Sequence, residues 1–126
     1  LNIKLKHIMN WTLDRRKIAE YYKNNLDNKK FTLTEEKPYN FHVYHIFSIF
    51  SNNAKKLQKY LSENGIGTNF HYPVPVHLQK PYFNLGYHKT DLPVTEKLSK
   101  NQLSIPIYPE MKLSEVKYVL KILNNY

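Results

Sequence analysis

The stretch from Gly65 to Gln79, GIGTNFHYPVPVHLQ, constrains the fold more than any other part of the chain. Pro73 and Pro75 each fix φ and remove a backbone donor, so this segment cannot be the interior of a helix or a central strand. Within nine residues, His71 to Gln79, it also carries His71, Tyr72 and His77. A stiff, extended loop therefore presents two imidazoles and a phenol. Such a loop, leaving a strand, is a common way to build one wall of a site.

The elements around it follow from hydrophobic spacing. Leu5 to about Leu26 reads as a helix, with Ile18, Ala19, Tyr22 and Leu26 on one face and Arg15, Arg16, Lys17, Glu20 and Lys23 on the other. Phe31–Thr34 is a short strand or extended segment, and Glu35–Asn40, with Pro38, is a loop. Phe41–Phe50 alternates clearly, with Val43, His45, Phe47 and Ile49 on one face. Both faces are largely apolar or aromatic, which predicts a central strand. Ser51 or Asn52 can cap the next helix, striped by Ala54, Leu57 and Leu61 and closed by Gly65 at the position that favours a left-handed backbone.

Ile66–Tyr72 is expected as a second strand running into the proline loop. Lys80–Tyr87 holds a turn of helix before Gly86, and Pro93–Asn101 a short helix with proline in its first turn. Leu103–Ile107 is a third strand, broken at Pro106. Ser114 to about Asn124 closes the chain as a helix whose Val116, Val119, Leu120 and Leu123 contribute about 1.5–3 kcal/mol each if buried. The fold class is α+β: helices packed on a small, mostly antiparallel sheet, in one domain spanning residues 1–126.

Composition narrows the function. The 41% hydrophobic content fits a globular chain, and no apolar run reaches the length of a membrane span. With no cysteine, there is no disulfide framework, thiol nucleophile or thiolate metal site, which is compatible with the cytoplasm. The net charge of +9 admits a nucleic-acid partner. The lysines are scattered, however, and the eleven tyrosines lack the spacing of an RNA-binding signature, so a solvated basic surface is favoured. A positive field would equally suit an enzyme with an anionic substrate.

His42 and His45 are three apart. On a strand that offset puts their rings on opposite faces, which argues against a shared metal and for a structural His45 in the core with His42 at the edge. Arg15 and Arg16 are candidates for phosphate or carboxylate, but a solvated helix face is preferred for at least one of them. Judged by residue type alone, a packing Tyr72 and surface or structural His71 and His77 are favoured over ligands for a polar substrate.

The GIGTNFHYPVPVHLQ segment resembles the signature near the C-terminus of the PLP-dependent sugar aminotransferases of the DegT/DnrJ/EryC1/StrS family. Leu13–Leu26 (LDRRKIAEYYKNNL) resembles that family's long helix entering the small domain. His42–Ile49 (HVYHIFSI) resembles its next strand, and Leu103–Leu123 its closing strand and helix. The four segments stand in the right order between Leu13 and Leu123, so the resemblance extends over nearly the whole chain.

The resemblance implies the C-terminal small domain of a fold-type I aminotransferase. The intact enzyme would move an amino group from an amino acid, glutamate by expectation, to a keto-sugar nucleotide. The loop form HYPVPVHLQKPYFNLGY is most similar to members acting on dTDP-3-keto-6-deoxyhexoses. Such enzymes are cytoplasmic homodimers that supply amino sugars for lipopolysaccharide and other surface polysaccharides.

By resemblance, His71 and Tyr72, and more weakly His77, line the sugar side of the substrate pocket. The Schiff-base lysine, the acid on the pyridinium nitrogen and the phosphate cup of pyridoxal phosphate lie in the family's N-terminal large domain. This chain alone is therefore expected to bind no cofactor, to carry no catalytic residue or metal ligand and to be inactive. Two alternatives stand beside this reading: a non-catalytic remnant binding sugar nucleotide or a partner, and a basic nucleic-acid module. If a large domain docks on this one, an exposed apolar patch is expected on the first helix around Trp11.

Overall fold

The computed structural model describes residues 1–126. Two helices open the chain: α1, Asn2–Leu5, and α2, Ile8–Asn25. Two strands follow, β1, Thr32–Leu33, and β2, Phe47–Phe50, and then α3, Ala54–Glu63. The proline loop holds a short 3-10 turn at Val76–Leu78 and a longer one at Lys80–Leu85. The chain ends with α4, Pro93–Asn101, β3, Gln102–Ile105, and α5, Leu113–Asn124.

The three strands form one antiparallel sheet in the order β1-β2-β3. Register assigns its two faces. Phe47 stands opposite Ile105, and Ile49 opposite Leu103, and all four are buried. Ser48 stands opposite Ser104, and Phe50 opposite Gln102, on the other face. The apolar face carries the core. Ile18, Ala19 and Tyr22 of α2, Leu57 and Leu61 of α3, and Val116, Val119, Leu120 and Leu123 of α5 belong to the same buried cluster. Tyr22 is fully buried, donates its hydroxyl to the Pro106 carbonyl at 2.9 Å, and has its pKa raised by that burial.

Helix α3 begins where the Asn53 side chain accepts from the Lys56 amide at 3.0 Å. The cap thus falls past Ser51 and Asn52. The helix ends at Gly65, whose φ of +71° lets Ile66 N–H reach back to the Leu61 carbonyl at 2.9 Å.

Two expected strands are shorter than their alternation suggests. In place of a strand over Phe41–Phe50, residues 41–46 form a loop clamped by α2. Arg16 donates to the His42 carbonyl at 2.7 Å and Arg15 to the Val43 carbonyl at 2.9 Å. Tyr44 takes a φ of +44°, which a strand does not allow. Side-chain donors thus occupy carbonyls that a ladder would need. His45 is consequently exposed rather than a core residue, and both arginines bind the loop rather than forming a solvated face.

The expected strand at Ile66–Tyr72 is reduced to a single antiparallel bridge, Asn69 with Ser104, on the outer edge of β3. Pairing stops there because the next donor, His71 N–H, goes to the Gln102 side chain at 2.9 Å, and the prolines then remove further donors. The third strand of the sheet is instead Thr32–Leu33.

Candidate functional site at the polar face of the sheet

The polar face of β2 and β3 is the platform for the proline loop. Gln102 and Ser104 are both buried there, at 6% exposure each. Gln102 Nε2 donates to Ser48 Oγ at 2.9 Å and to Ser104 Oγ at 2.6 Å, while its Oε1 accepts from His71 N–H. Ser104 Oγ lies 2.8 Å from His71 Nδ1. His71 is thus held twice, once by its backbone and once by its ring.

His71 lines an open depression of about 380 Å³ with His45, Thr68, Asn69, Ser104 and Ile107. Thr68 Oγ1 is buried without a protein partner. Tyr72 follows His71 through a cis peptide and stands edge-on to its ring at 5.6 Å. At 71% exposure, its phenol is free. The structure therefore brings His71 and Tyr72 together, one anchored and one exposed.

His77 is elsewhere. It is buried at 6%, with Nε2 3.2 Å from Glu96 Oε1 in the first turn of α4. Tyr87 stands edge-on to it at 6.4 Å. The same Glu96 oxygen accepts from Thr90 N–H at 2.7 Å. Between Gly67 and Asn101 His77 is the only buried residue, so its ring is occupied in tying this excursion together.

A second polar cluster sits where α2 meets the loop 36–44. Arg16 donates to Glu36 Oε1 at 2.6 Å, His42 N–H donates to the same oxygen at 2.7 Å, and the Tyr44 hydroxyl donates to Oε2 at 3.0 Å. Lys23 Nζ donates to that hydroxyl at 2.5 Å, and the Arg16 guanidinium lies over the Phe41 ring at 4.5 Å. The hydrogen bond from Arg16, with those from His42 and Tyr44, lowers the Glu36 pKa to about 2. The same contact raises that of Arg16. His42 Nδ1 is taken by the Tyr44 amide at 2.9 Å. No three His, Cys, Asp or Glu side chains cluster as metal ligands.

Every lysine except Lys23 is exposed, and Lys23 is committed to Tyr44. No glycine makes the close backbone approach of a phosphate cradle, since a Cβ added at Gly65, Gly67 or Gly86 would meet nothing within 4 Å.

Gln102, Ser104 and Ser48 are the site residues that sequence reasoning missed. Their signal is the alternation of Gln102-Leu103-Ser104-Ile105, where two apolar residues face the core and two polar ones do not.

Comparison with known proteins covers the same span. The family model of the DegT/DnrJ/EryC1/StrS aminotransferases matches residues 1–124. A pleiotropic regulatory protein of Geobacillus stearothermophilus is 37% identical over 124 residues, covering 96% of this chain and 33% of that protein. The dTDP-3-amino-3,6-dideoxy-alpha-D-galactopyranose transaminase of Aneurinibacillus thermoaerophilus is 34% identical, covering all of this chain and 34% of its own length. The crystal structure of S. venezuelae DesV with a ketimine intermediate superposes with a TM-score of 0.92 at 29% identity, over 98% of this chain and 34% of that one. The chain spans about a third of the length of these relatives. With residues 1–124 matched by the family model and 98% of the chain superposed on a solved relative, the chain belongs to the DegT/DnrJ/EryC1/StrS aminotransferase family.

Proposed function

We propose that this chain is the C-terminal small domain of a PLP-dependent nucleotide-sugar aminotransferase, and that His71 and Tyr72 face the sugar. The observation that carries this reading is their pairing. One imidazole is fixed by the sheet at the edge of an open depression, and the adjoining phenol is exposed. Rigid hydrogen-bonding groups beside a concavity suit a hydroxylated substrate. The 34% identity to a transaminase named for a dTDP-linked 3-amino-3,6-dideoxyhexose supports a dTDP-3-keto-6-deoxyhexose as the acceptor.

The donor is an amino acid, glutamate in this reading, and the cofactor site lies in the two thirds of the enzyme that this chain does not supply. The intact enzyme is a cytoplasmic homodimer making amino sugars for lipopolysaccharide or a related polysaccharide, and the chain alone is inactive. Exposed Leu5, Ile8 and Met9 along α1 and α2 would then meet the large domain. His77 has no part in substrate contact in this reading, because Glu96 occupies it.

The test is an amination assay of the complete protein with glutamate and dTDP-3-keto-6-deoxyhexose. Formation of the amino sugar supports the reading. A complete protein that loads pyridoxal phosphate and aminates no nucleotide sugar would refute it.

A further inference from the structure

We propose that Gln102 and Ser104 are positioning residues that fix His71 as the Nε2–H tautomer, so that its ring offers the substrate a neutral hydrogen-bond donor. The sugar-facing part of this inference rests on the functional reading above; the tautomer does not.

The count of donors and acceptors around Ser104 fixes the tautomer. A serine hydroxyl has a single proton and accepts through its lone pairs. Ser104 Oγ already accepts from Gln102 Nε2 at 2.6 Å. The direction of that bond is set from the other end of the amide, because Gln102 Oε1 must accept from the His71 backbone N–H at 2.9 Å. An amide turned the other way would set its NH₂ group against that N–H.

The Ser104 proton then needs an acceptor, and the acceptor in reach is His71 Nδ1 at 2.8 Å. Gln102 and Ser104 are buried, so water does not compete freely for these bonds. An Nδ1 that accepts leaves the proton of a neutral imidazole on Nε2. Nε2 has no partner in the protein, and the ring lines the open depression.

The chemistry that such a group recognises is an acceptor oxygen, a sugar hydroxyl or carbonyl. The polar face of β3 thus orients the His71 ring as a buried carboxylate would, but it donates to Nδ1 where a carboxylate accepts from it, so the opposite tautomer is fixed and no charge is added.

The experiment has two arms. In the first, the ring nitrogens of His71 are observed by long-range proton–nitrogen correlation NMR on the labelled 126-residue chain, above the pH at which the ring is protonated. The expected result is one tautomer, protonated at Nε2, with Ser104→Ala giving a mixture of tautomers or a ring averaged by motion. Protonation at Nδ1 in the wild type, or an identical pattern in Ser104→Ala, would overturn the relay.

In the second arm, Ser104→Ala and Ser104→Thr are made in the complete protein. Loss of one buried hydrogen bond should lower kcat/KM for the sugar nucleotide roughly ten-fold in Ser104→Ala, with the half-reaction of the amino-acid donor unchanged. Ser104→Thr, which keeps the hydroxyl, should recover most of the loss. An unchanged kcat/KM in Ser104→Ala would overturn the positioning role while leaving the aminotransferase reading intact. A wild type that aminates no nucleotide sugar would overturn that reading and the sugar-facing role with it, while the NMR arm still decides the tautomer.

Discussion

His71 and Tyr72 differ in how they are held, and the difference separates their mutational effects. His71 is bonded to Gln102 and Ser104, whereas Tyr72 is largely exposed and stands edge-on to the His71 ring. His71→Ala in the complete protein should lower kcat/KM for the sugar nucleotide about ten-fold or more, with pyridoxal phosphate retained by absorbance. Equal loss of cofactor would contradict the placement. Tyr72→Phe should also lower sugar use. Because the residue is exposed, it should shift stability by less than about 0.5 kcal/mol in a denaturant titration.

Glu36 supplies the pH dependence at this scale. Its carboxyl titrates at about 2 in the folded chain against an ordinary 4.5, chiefly because Arg16 donates to it. A lowered folded value means a stabilising contribution that is complete above the unfolded value and is lost as pH falls through the folded one. Thermal melts of wild type and Glu36→Gln should therefore differ most above about pH 5, and the gap should close as pH falls from about 4.5 towards 2. A gap independent of pH would show that the Arg16–Glu36 pair contributes nothing through charge.

Elements were legible in the sequence wherever apolar spacing decided them. The α3 stripe of Ala54, Leu57 and Leu61, the Gly65 stop, and the bounds of α4 at Pro93 and Asn101 are observed as the pattern predicts. Leu57→Ala, at a fully buried position, should cost about 2–5 kcal/mol by denaturant unfolding. Elements decided by side-chain hydrogen bonds were not legible. Nothing in the alternation of residues 41–50 tells that Arg15 and Arg16, 28 and 26 residues earlier, take the carbonyls of Val43 and His42. His77, a surface or structural group by residue type and a substrate contact only by resemblance, is buried against Glu96.

The excursion from Gly67 to Asn101 has His77 as its one buried residue, and both the Lys80–Leu85 turn and α4 bury none. A segment with so little apolar burial depends on polar ties. Glu96→Ala should raise hydrogen exchange across residues 80–92 by at least roughly ten-fold, while Glu96→Gln, which can still accept, should raise it less. Unaltered exchange in Glu96→Ala would show that the segment is held by something other than this contact.

For the whole molecule, the balance of buried and exposed surface is the informative property. The core of α2, β2, α3, β3 and α5 is continuous, yet Leu5, Ile8, Met9 and Leu13 remain 45–64% exposed along the N-terminal helices. The apolar patch expected around Trp11 is present, although Trp11 itself is half-buried. In sedimentation velocity the 126-residue chain should associate as concentration rises, and Ile8→Glu with Met9→Glu should keep it monomeric. A wild-type chain monomeric at every concentration would argue against the patch as a docking face.

If this chain works as the small domain of a longer enzyme, the DNA immediately upstream of the Leu1 codon should hold an uninterrupted frame encoding a large domain with a Schiff-base lysine. A stop codon followed by a start close to Leu1 would contradict it, and the transamination would have to be given up in favour of binding alone.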